Sequence, residues 1–263
     1  MSLYYEESGN KDAPAIIFLH GGGISGWMWK QQVAAFRDYH CIVPDLPEHG
    51  KSINEKPFTI IDSADRVAQL IRNHSKGGKA HVVGHSIGAK IIVELLNRHP
   101  DVIDHSVIVS ALCRPIPFQK LSCNRFTYKL TVMMLKSKRL LKYQVKQFGF
   151  ADEVDRQNLA DDFKLFTTDF LGRLYGELFK HLKLPEHLSD ARASSLIIAG
   201  AKESKAMRES VKDLEKALPN SKGILLSGYR HDIPMRASDD FNGIIREWIN
   251  DKSLSSLSVQ AVK

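Results

Sequence analysis

Short apolar runs alternate with longer segments of helical periodicity along most of the chain. The runs are continuous rather than alternating with polar residues, which is typical of strands buried on both faces of a sheet. They lie at residues 15–19, 40–44, 80–83, 107–109, 195–199 and 223–226. Each run therefore predicts a strand.

Between these runs, apolar residues recur at intervals of three and four. The pattern is clear within residues 59–74, where it comprises Ile60, Ala64, Val67, Ala68 and Ile71. This spacing places apolar side chains on one helix face. Further helices are predicted at residues 27–36, 89–96, 207–218 and 241–249. Strands that alternate with helices imply a mostly parallel sheet with helices on both faces, so the sequence predicts an α/β fold.

Residues 114–190 interrupt the alternation, because they contain several helical patterns and no convincing strand. We interpret them as a helical insertion over the carboxyl edge of the sheet, where sites in α/β proteins open. The core then comprises residues 1–113 and 191–252. Residues 253–263 are rich in serine and weakly patterned, so we expect a flexible tail.

Composition restricts the class of protein. The chain has 263 residues, of which 43% are hydrophobic, as in an ordinary globular domain. Its three cysteines are widely spaced and form no C-x-x-C pattern, so neither a disulfide framework nor a zinc site is indicated. We predict no metal and no cofactor. Without a signal-like start or an apolar run that could span a bilayer, we expect a cytoplasmic protein with no stable membrane insertion.

The net charge of +7 is unevenly distributed. Residues 114–151 contain nine lysines and arginines and no aspartate or glutamate. This basic segment could be a solvated helix face, or could attract anionic substrates or an anionic membrane surface. We expect no binding to nucleic acid, because no nucleic-acid-binding motif accompanies it.

Residues 84–88 read Gly-His-Ser-Ile-Gly, directly between the strand predicted at 80–83 and a predicted helix. A G-x-S-x-G sequence in this context holds its serine on a sharp, strained turn. The hydroxyl of Ser86 would project at a helix N-terminus, where negative charge is favoured. We therefore predict that Ser86 is a nucleophile.

A serine nucleophile needs a base, and the base needs a carboxylate to orient it. His231 lies in the loop after the last predicted strand, at the same sheet edge as Ser86. Glu203 is the first carboxylate after the strand at 195–199. We predict His231 as the base and Glu203 as the acid, with Asp232 and then Asp213 as weaker alternatives.

Acyl transfer also needs donors for the developing oxyanion. The backbone N–H of Ile87 follows the nucleophile and is one candidate. The second is expected in the glycine loop after the first apolar run, at Gly22 or alternatively at Gly23.

Taken together, these motifs resemble the α/β-hydrolase fold superfamily over nearly the whole chain. The matching stretches are His20-Gly21-Gly22-Gly23 with Trp27 downstream, residues 45–52, Gly84-His85-Ser86-Ile87-Gly88, Gly200-Ala201-Lys202-Glu203, and His231. The resemblance implies a Ser86, Glu203 and His231 triad, an oxyanion hole at Gly22 and Ile87, and a helical cap at 114–190. Glu203 stands where the family usually has aspartate, and Glu48 where it usually has glycine.

The expected activity is hydrolysis of carboxylic esters through an acyl-enzyme on Ser86. The substrate would be a small-molecule ester with an apolar part. The same residues are also compatible with carbon–carbon bond hydrolysis, with amidase or aminopeptidase activity, and with a ligand receptor that retains a slow hydrolase pocket. The sequence leaves the acyl chain length and the oligomeric state open.

Overall fold

A computed structural model describes residues 3–116, 123–137, 152–254 and 259–261. Eight strands form one sheet within these residues. They are β1 (Tyr5–Gly9), β2 (Ala15–Leu19), β3 (His40–Pro44), β4 (Ala80–His85), β5 (Ile103–Val109), β6 (Ser194–Gly200), β7 (Ser221–Leu226) and β8 (Val259–Ala261).

The strand order in the sheet is β1-β3-β2-β4-β5-β6-β7-β8. The six central strands are parallel, and β1 and β8 pair antiparallel at the two edges. Because parallel strands end at the same edge, β4, β6 and β7 deliver their following loops to one side of the molecule. The predicted α/β fold with a mostly parallel sheet is confirmed.

The two edge strands differ from the expectation. β1 has a polar sequence, YEESG, with no buried residue, so no apolar run marked it. The expectation of a flexible tail at 253–263 was wrong for residues 259–261, which pair with residues 224–226. Pairing at a sheet edge depends on a distant partner strand, which local patterning does not reveal.

Helices cover the sheet. They are α1 (Lys30–Ala35), α2 (Ile60–His74), α3 (Ile87–Arg98), α4 (Arg125–Leu135), α5 (Glu153–Leu165), α6 (Thr168–Lys180), α7 (Lys205–Ala217), α8 (Ile233–Arg236) and α9 (Ser238–Ile249). The helix predicted at 27–36 is instead a 3₁₀ turn, Gly26–Trp29, followed by the short α1.

In α2 and α3 the spacing of apolar residues determines which side chains are buried. Thr59 caps α2 by accepting a hydrogen bond of 3.0 Å from the Asp62 N–H, and the five apolar residues of the predicted face are buried. Residues 87–96 of α3 are buried without exception. α3 is therefore held from all sides, which fixes the position of its N-terminus.

α4, α5 and α6 lie in the insertion between β5 and β6. The apolar side chains of this insertion predict that most of them pack against the body. Phe126, Leu130, Met133 and Met134 are instead exposed, Phe126 by 76%, whereas Tyr128 and Leu135 pack against the core. The same prediction applies to Phe118, Leu140, Leu141, Tyr143 and Phe148, but these residues and much of the basic segment lie outside the described residues.

None of the helices in the described ranges combines the length and the apolar character that crossing a membrane requires.

Candidate active site

Ser86 lies at the junction of β4 and α3, as predicted. Its backbone has φ 55° and ψ −111°, a left-handed conformation that is strained for a residue with a side chain. The Ser86 N–H donates to the Val109 carbonyl at 2.8 Å, and the Ser86 carbonyl accepts from the Lys90 N–H at 3.1 Å. These backbone bonds hold the turn, so the strain is maintained by the surrounding sheet and helix.

Gly84 and Gly88 serve close packing rather than an unusual φ. A Cβ on Gly84 would lie 2.7 Å from the Gly88 carbonyl carbon, and a Cβ on Gly88 would lie 2.3 Å from the Leu19 carbonyl oxygen. The start of α3 therefore lies directly against the end of β2. A Cβ on Gly88 would also lie 2.7 Å from the His20 carbonyl oxygen, at the start of the glycine loop that follows β2.

His231 and Glu203 are joined by a hydrogen bond of 2.9 Å between His231 Nδ1 and Glu203 Oε2. Glu203 lies in the turn after β6, and His231 lies in the loop after β7. The Lys202 N–H donates to the Tyr229 carbonyl at 3.0 Å, so the two loops are also bonded through their backbones. Because a carboxylate oxygen only accepts, Nδ1 carries a proton, and when the ring is neutral Nε2 is its basic nitrogen.

Glu203 is anchored on its other oxygen as well. Oε1 accepts from the Ser110 hydroxyl at 2.6 Å and from the Gly200 N–H at 3.0 Å. Burial of the carboxyl opposes ionisation, but the hydrogen bond and the charge of His231, together with these two donors, outweigh it and lower the pKa of Glu203 below its usual value of 4.5. The carboxylate is thus ionised and fixed in orientation.

The alternative carboxylates have other partners. Asp213 lies on α7 and pairs with Arg114, with 2.5 Å between Arg114 Nε and Asp213 Oδ2. Asp232 forms an ion pair with Arg236, one turn further along the chain. Of the three acids considered, Glu203 is the one that contacts the ring of His231.

Ser110 is a contributor to this site that the sequence analysis missed. It follows β5 directly and is buried, with φ 56°. The rule that pointed to Glu203, namely a polar residue directly after a buried strand, also applies to Ser110 after the run 107–109. A serine at such a position has no defined role in a triad, so the pattern alone does not mark it.

The side chain of His85 holds the backbone of His231. Its Nε2–H donates to the backbone carbonyl of His231 at 2.7 Å, and the centroids of the two rings lie 4.6 Å apart. Complete burial, with a smaller contribution from the neighbouring His231, lowers the pKa of His85 to about 3. His85 is therefore a neutral donor that fixes the backbone of His231.

The glycine loop is braced by His20. His20 Nδ1–H donates to the Gly21 carbonyl at 2.8 Å, and Nε2 accepts from the Leu46 N–H at 2.9 Å. These partners define a neutral tautomer, in agreement with burial lowering the pKa of His20 to about 4. The ring therefore holds the loop in place and has no free basic nitrogen.

Gly22 and Gly23 line the same cavity as Ser86. Gly23 has φ +81°, and a Cβ there would lie 2.5 Å from the Phe166 ring, so glycine is required. A Cβ on Gly22 would lie 3.1 Å from Leu174. The N–H of Ile87, in the first turn of α3, has no intrahelical partner. Gly22, Gly23 and Ser86 therefore border one cavity, and Ile87 directly follows Ser86.

Polar contacts join the insertion to the body, and those of Asp162 and Arg173 lie near the site. Asp162 of α5 accepts from the Ser25 N–H at 2.9 Å and from Trp27 Nε1 at 2.7 Å. Burial raises the pKa of Asp162 to about 6, although these donors oppose the shift. Arg173 of α6 pairs with Glu48, with 2.7 Å between Arg173 Nη2 and Glu48 Oε1.

Glu48 explains one departure from the family pattern. It adopts φ 62°, the conformation that the usual glycine would adopt without strain. Burial alone would raise its pKa, but the pairing with Arg173 and the N–H of Phe58 lower it below 4.5. The strained turn is thus compensated by contacts to an inserted helix.

A cavity of about 1050 Å³ opens above Ser86. Its apolar wall is contributed largely by the inserted helices. The residues in that wall are Leu135, Phe163, Phe166, Leu171, Leu174 and Tyr175. The other wall carries the loop at 228–232 and Lys202. The cavity is large enough for a small organic molecule.

Ser86 and His231 both line this cavity. Within the described part of the chain, the Ser86 hydroxyl forms no hydrogen bond to the His231 ring. Such bonds are often long in free enzymes and tighten when substrate binds. The side chain of His231 is 45% exposed, so the ring has room to approach the hydroxyl.

Among the residues that the structure describes, no group of three or more histidine, cysteine, aspartate or glutamate side chains is arranged to hold a metal ion.

The sequence of the chain matches a known protein family. The profile of the α/β-hydrolase fold matches residues 14–237, which is most of the chain. The chain belongs to the α/β-hydrolase family. An α/β-hydrolase superfamily protein of Gibberella zeae is 40% identical over 111 residues, which are 41% of this chain and 39% of that protein.

Other similar proteins include a carboxylesterase, YbfK, of Bacillus subtilis. It is 36% identical over 110 residues, which are 39% of this chain and 36% of the carboxylesterase. The matches thus span less than half the length of these two relatives. The crystal structure of the enol-lactonase from Burkholderia xenovorans superimposes with a TM-score of 0.73 at 22% identity, over 94% of this chain and 96% of the lactonase. This likeness reflects the shared α/β-hydrolase fold.

Proposed function

We propose that this α/β hydrolase cleaves carboxylic esters through an acyl-enzyme on Ser86. The observation that carries the proposal is the pairing of His231 with Glu203 in a cavity that also contains Ser86 on a strained turn. A neutral imidazole whose Nδ1–H is held by a carboxylate presents a basic Nε2. That is what a serine hydroxyl requires to become a nucleophile.

The steps follow from these groups. His231 Nε2 takes the Ser86 proton as Oγ forms a bond to the ester carbonyl carbon. The tetrahedral intermediate collapses as His231 returns the proton to the leaving alcohol oxygen, and the acyl group stays on Ser86. Water then attacks this ester with His231 again accepting a proton, and collapse releases the acid and restores the Ser86 hydroxyl.

The oxyanion is assigned to the backbone N–H groups of Ile87 and Gly22, with Gly23 as the alternative to Gly22. The close contact of Gly88 with the end of β2 supports this assignment, because Ile87 directly precedes Gly88 and the glycine loop directly follows β2. Donors of this kind stabilise negative charge that develops only after attack.

The inserted helices are proposed to act as the cap that selects the acyl group. Their apolar side chains form one wall of the cavity, while the loops after β4, β6 and β7 supply the reacting groups. A carboxylesterase among the similar proteins favours an ester substrate, and the serine nucleophile suits acyl transfer.

The proposal is tested by measuring kcat/KM on three substrate classes. Wild-type protein is assayed with 4-nitrophenyl esters of increasing acyl length, with aminoacyl anilides and with β-diketones. We expect the esters to be turned over fastest, and Ser86→Ala to lower kcat by at least about 10⁴-fold. Faster cleavage of the anilides or the diketones would reassign the reaction, and undiminished ester hydrolysis by Ser86→Ala would overturn it.

A further inference from the structure

Two cationic side chains at the mouth of the cavity have no anionic partner. Lys202 and Arg230 both line the cavity that contains Ser86. Their side chains are exposed, and neither forms an ion pair or a side-chain hydrogen bond with any residue in the described ranges. This contrasts with Arg173 and Arg114, whose guanidinium groups are each paired with a carboxylate.

Both cations are held at the acid–base end of the site. Lys202 directly precedes Glu203, and Arg230 directly precedes His231. The turn and the loop that carry them touch, since a Cβ on Gly200 would lie 2.5 Å from the Arg230 carbonyl oxygen. Their Cα positions are therefore fixed beside the proposed base, although their side chains reach into solvent.

The charge balance of the cavity is positive at this end. Asp232 is the single carboxylate among the described residues that line it, and Arg236 pairs with it. With the ionised Glu203 behind His231 included, Lys202, Arg230 and Arg236 exceed the two carboxylates at this end by one positive charge. A cleft with low-dielectric walls and one sign of charge concentrates its field, which attracts anionic molecules and orients them.

The opposite wall excludes anions. It is formed by Phe163, Phe166, Leu171 and Leu174, which are buried and apolar. An ionised group placed there would lose its hydration without gaining a partner. An ester with one anionic end and one apolar end would therefore bind in a single orientation.

We propose that the preferred substrate is an ester whose alcohol part carries an anionic group, a carboxylate or a phosphate, and whose acyl part is apolar. This inference rests on the proposed ester hydrolysis. His231 must donate its proton to the leaving alcohol oxygen, so that oxygen lies beside His231. The rest of the alcohol then lies near Lys202 and Arg230, and the acyl chain extends toward the inserted helices.

A matched pair of substrates tests the orientation. 4-Nitrophenyl butanoate and 3-carboxy-4-nitrophenyl butanoate have the same acyl group and differ by one carboxylate on the alcohol. The ratio of their kcat/KM values, each divided by its rate of hydroxide hydrolysis, is the selectivity for the anionic ester. We expect this selectivity to exceed one in wild-type protein and to fall as salt is added.

Double substitutions test whether Lys202 and Arg230 cause the selectivity for the anionic ester. The double variant Lys202→Gln, Arg230→Gln should lower the selectivity for the anionic ester by roughly tenfold, and charge reversal to glutamate at both positions should lower it further. The matched control is Arg37→Glu with Lys79→Glu, which lies before β3 and β4 at the opposite edge of the sheet. It changes the net charge as much as the reversal does and should leave the selectivity unchanged.

The outcomes separate the two proposals. If the cation variants leave the selectivity unaltered, or if the control lowers it equally, the inference about the alcohol is wrong although ester hydrolysis stands. If wild-type protein hydrolyses neither ester, the proposed function itself fails and this inference falls with it. If wild-type protein prefers the anionic ester, the inhibition constants of 5-hydroxy-2-nitrobenzoate and 4-nitrophenyl phosphate are compared. The compound with the lower constant shows whether the site prefers a carboxylate or a phosphate.

Discussion

The hydroxyl of Ser110 donates a hydrogen bond of 2.6 Å to Oε1 of Glu203. The carboxylate that orients His231 is thus itself oriented by the end of a third strand, β5. Together with the Gly200 N–H, Ser110 leaves only Oε2 of Glu203 facing the imidazole. Glu203 is therefore positioned by two strands and contacts the His231 ring from a fixed direction.

Removing this hydroxyl should weaken catalysis without unfolding the protein. We expect Ser110→Ala to lower kcat by about tenfold, because a hydrogen bond to a charged group contributes about 1.5–3 kcal/mol, while KM changes little. The control is Ser106→Ala on the same strand, whose buried hydroxyl bonds Ser195 at 2.8 Å and lies away from the site. Equal kcat values for the two variants would exclude a role for Ser110 in positioning Glu203.

Glu203→Gln tests the acid. The Gly200 N–H can only donate, so it favours the amide oxygen at the Oε1 position and places the amide NH₂ against His231 Nδ1. This arrangement would enforce the wrong tautomer of His231, and we expect kcat to fall by about 10⁴-fold. Glu203→Asp keeps the charge and should lose less. Wild-type rates in Glu203→Gln would remove Glu203 from the mechanism.

Substitution of His85 tests whether its hydrogen bond to the His231 carbonyl contributes to catalysis. Because burial lowers its pKa to about 3, His85 is a neutral donor throughout the range of enzyme assays. In His85→Gln the amide NH₂ can replace the imidazole donor to the His231 carbonyl, whereas His85→Leu cannot. We expect kcat/KM of the leucine variant to be about tenfold below that of the glutamine variant. Indistinguishable kcat/KM values would show that the hydrogen bond is dispensable.

Asp162 should make stability depend on pH. Its pKa is raised to about 6 in the folded protein, above the usual value of 3.8, so the folded state binds the proton more tightly than the unfolded state. The contribution of Asp162 to stability is therefore fully present below pH 3.8 and is lost as the pH rises to about 6, by at most about 3 kcal/mol.

Asp162→Asn isolates this contribution, since asparagine keeps the shape and an acceptor for Ser25 and Trp27. The free energy of unfolding in urea is measured for both proteins from pH 4 to pH 7. The wild-type value should fall relative to that of the variant across this interval. A constant difference between the two proteins would contradict the raised pKa.

The sequence was most informative where function depends on local order along the chain. The turn at Ser86 was predictable because a strand, a glycine-flanked serine and a helix follow one another directly. Glu203 and His231 were predictable as pairing candidates because each follows a parallel strand, and such strands end at a common edge. The observed contact between them agrees with that reasoning.

What the sequence did not predict depends on contacts between distant segments. Ser110 meets Glu203 across 93 positions, and Asp162 meets Ser25 across 137. Neither pair has a local pattern. Gly88 is required by the approach of α3 to the end of β2, and Gly84 by its close approach to Gly88, which the motif alone does not reveal. The exposure of Phe126 was likewise missed, because helical periodicity does not say which partner a face will have.

The most direct test of the account is to find where an activated phosphonate attaches. Fluorophosphonate reacts with a serine whose hydroxyl is activated by a neighbouring base, and peptide mass spectrometry identifies the modified residue. The account predicts one adduct, on Ser86, that is absent from Ser86→Ala and strongly slowed in His231→Ala. A stoichiometric adduct on another residue, or labelling of Ser86 that does not depend on His231, would contradict it.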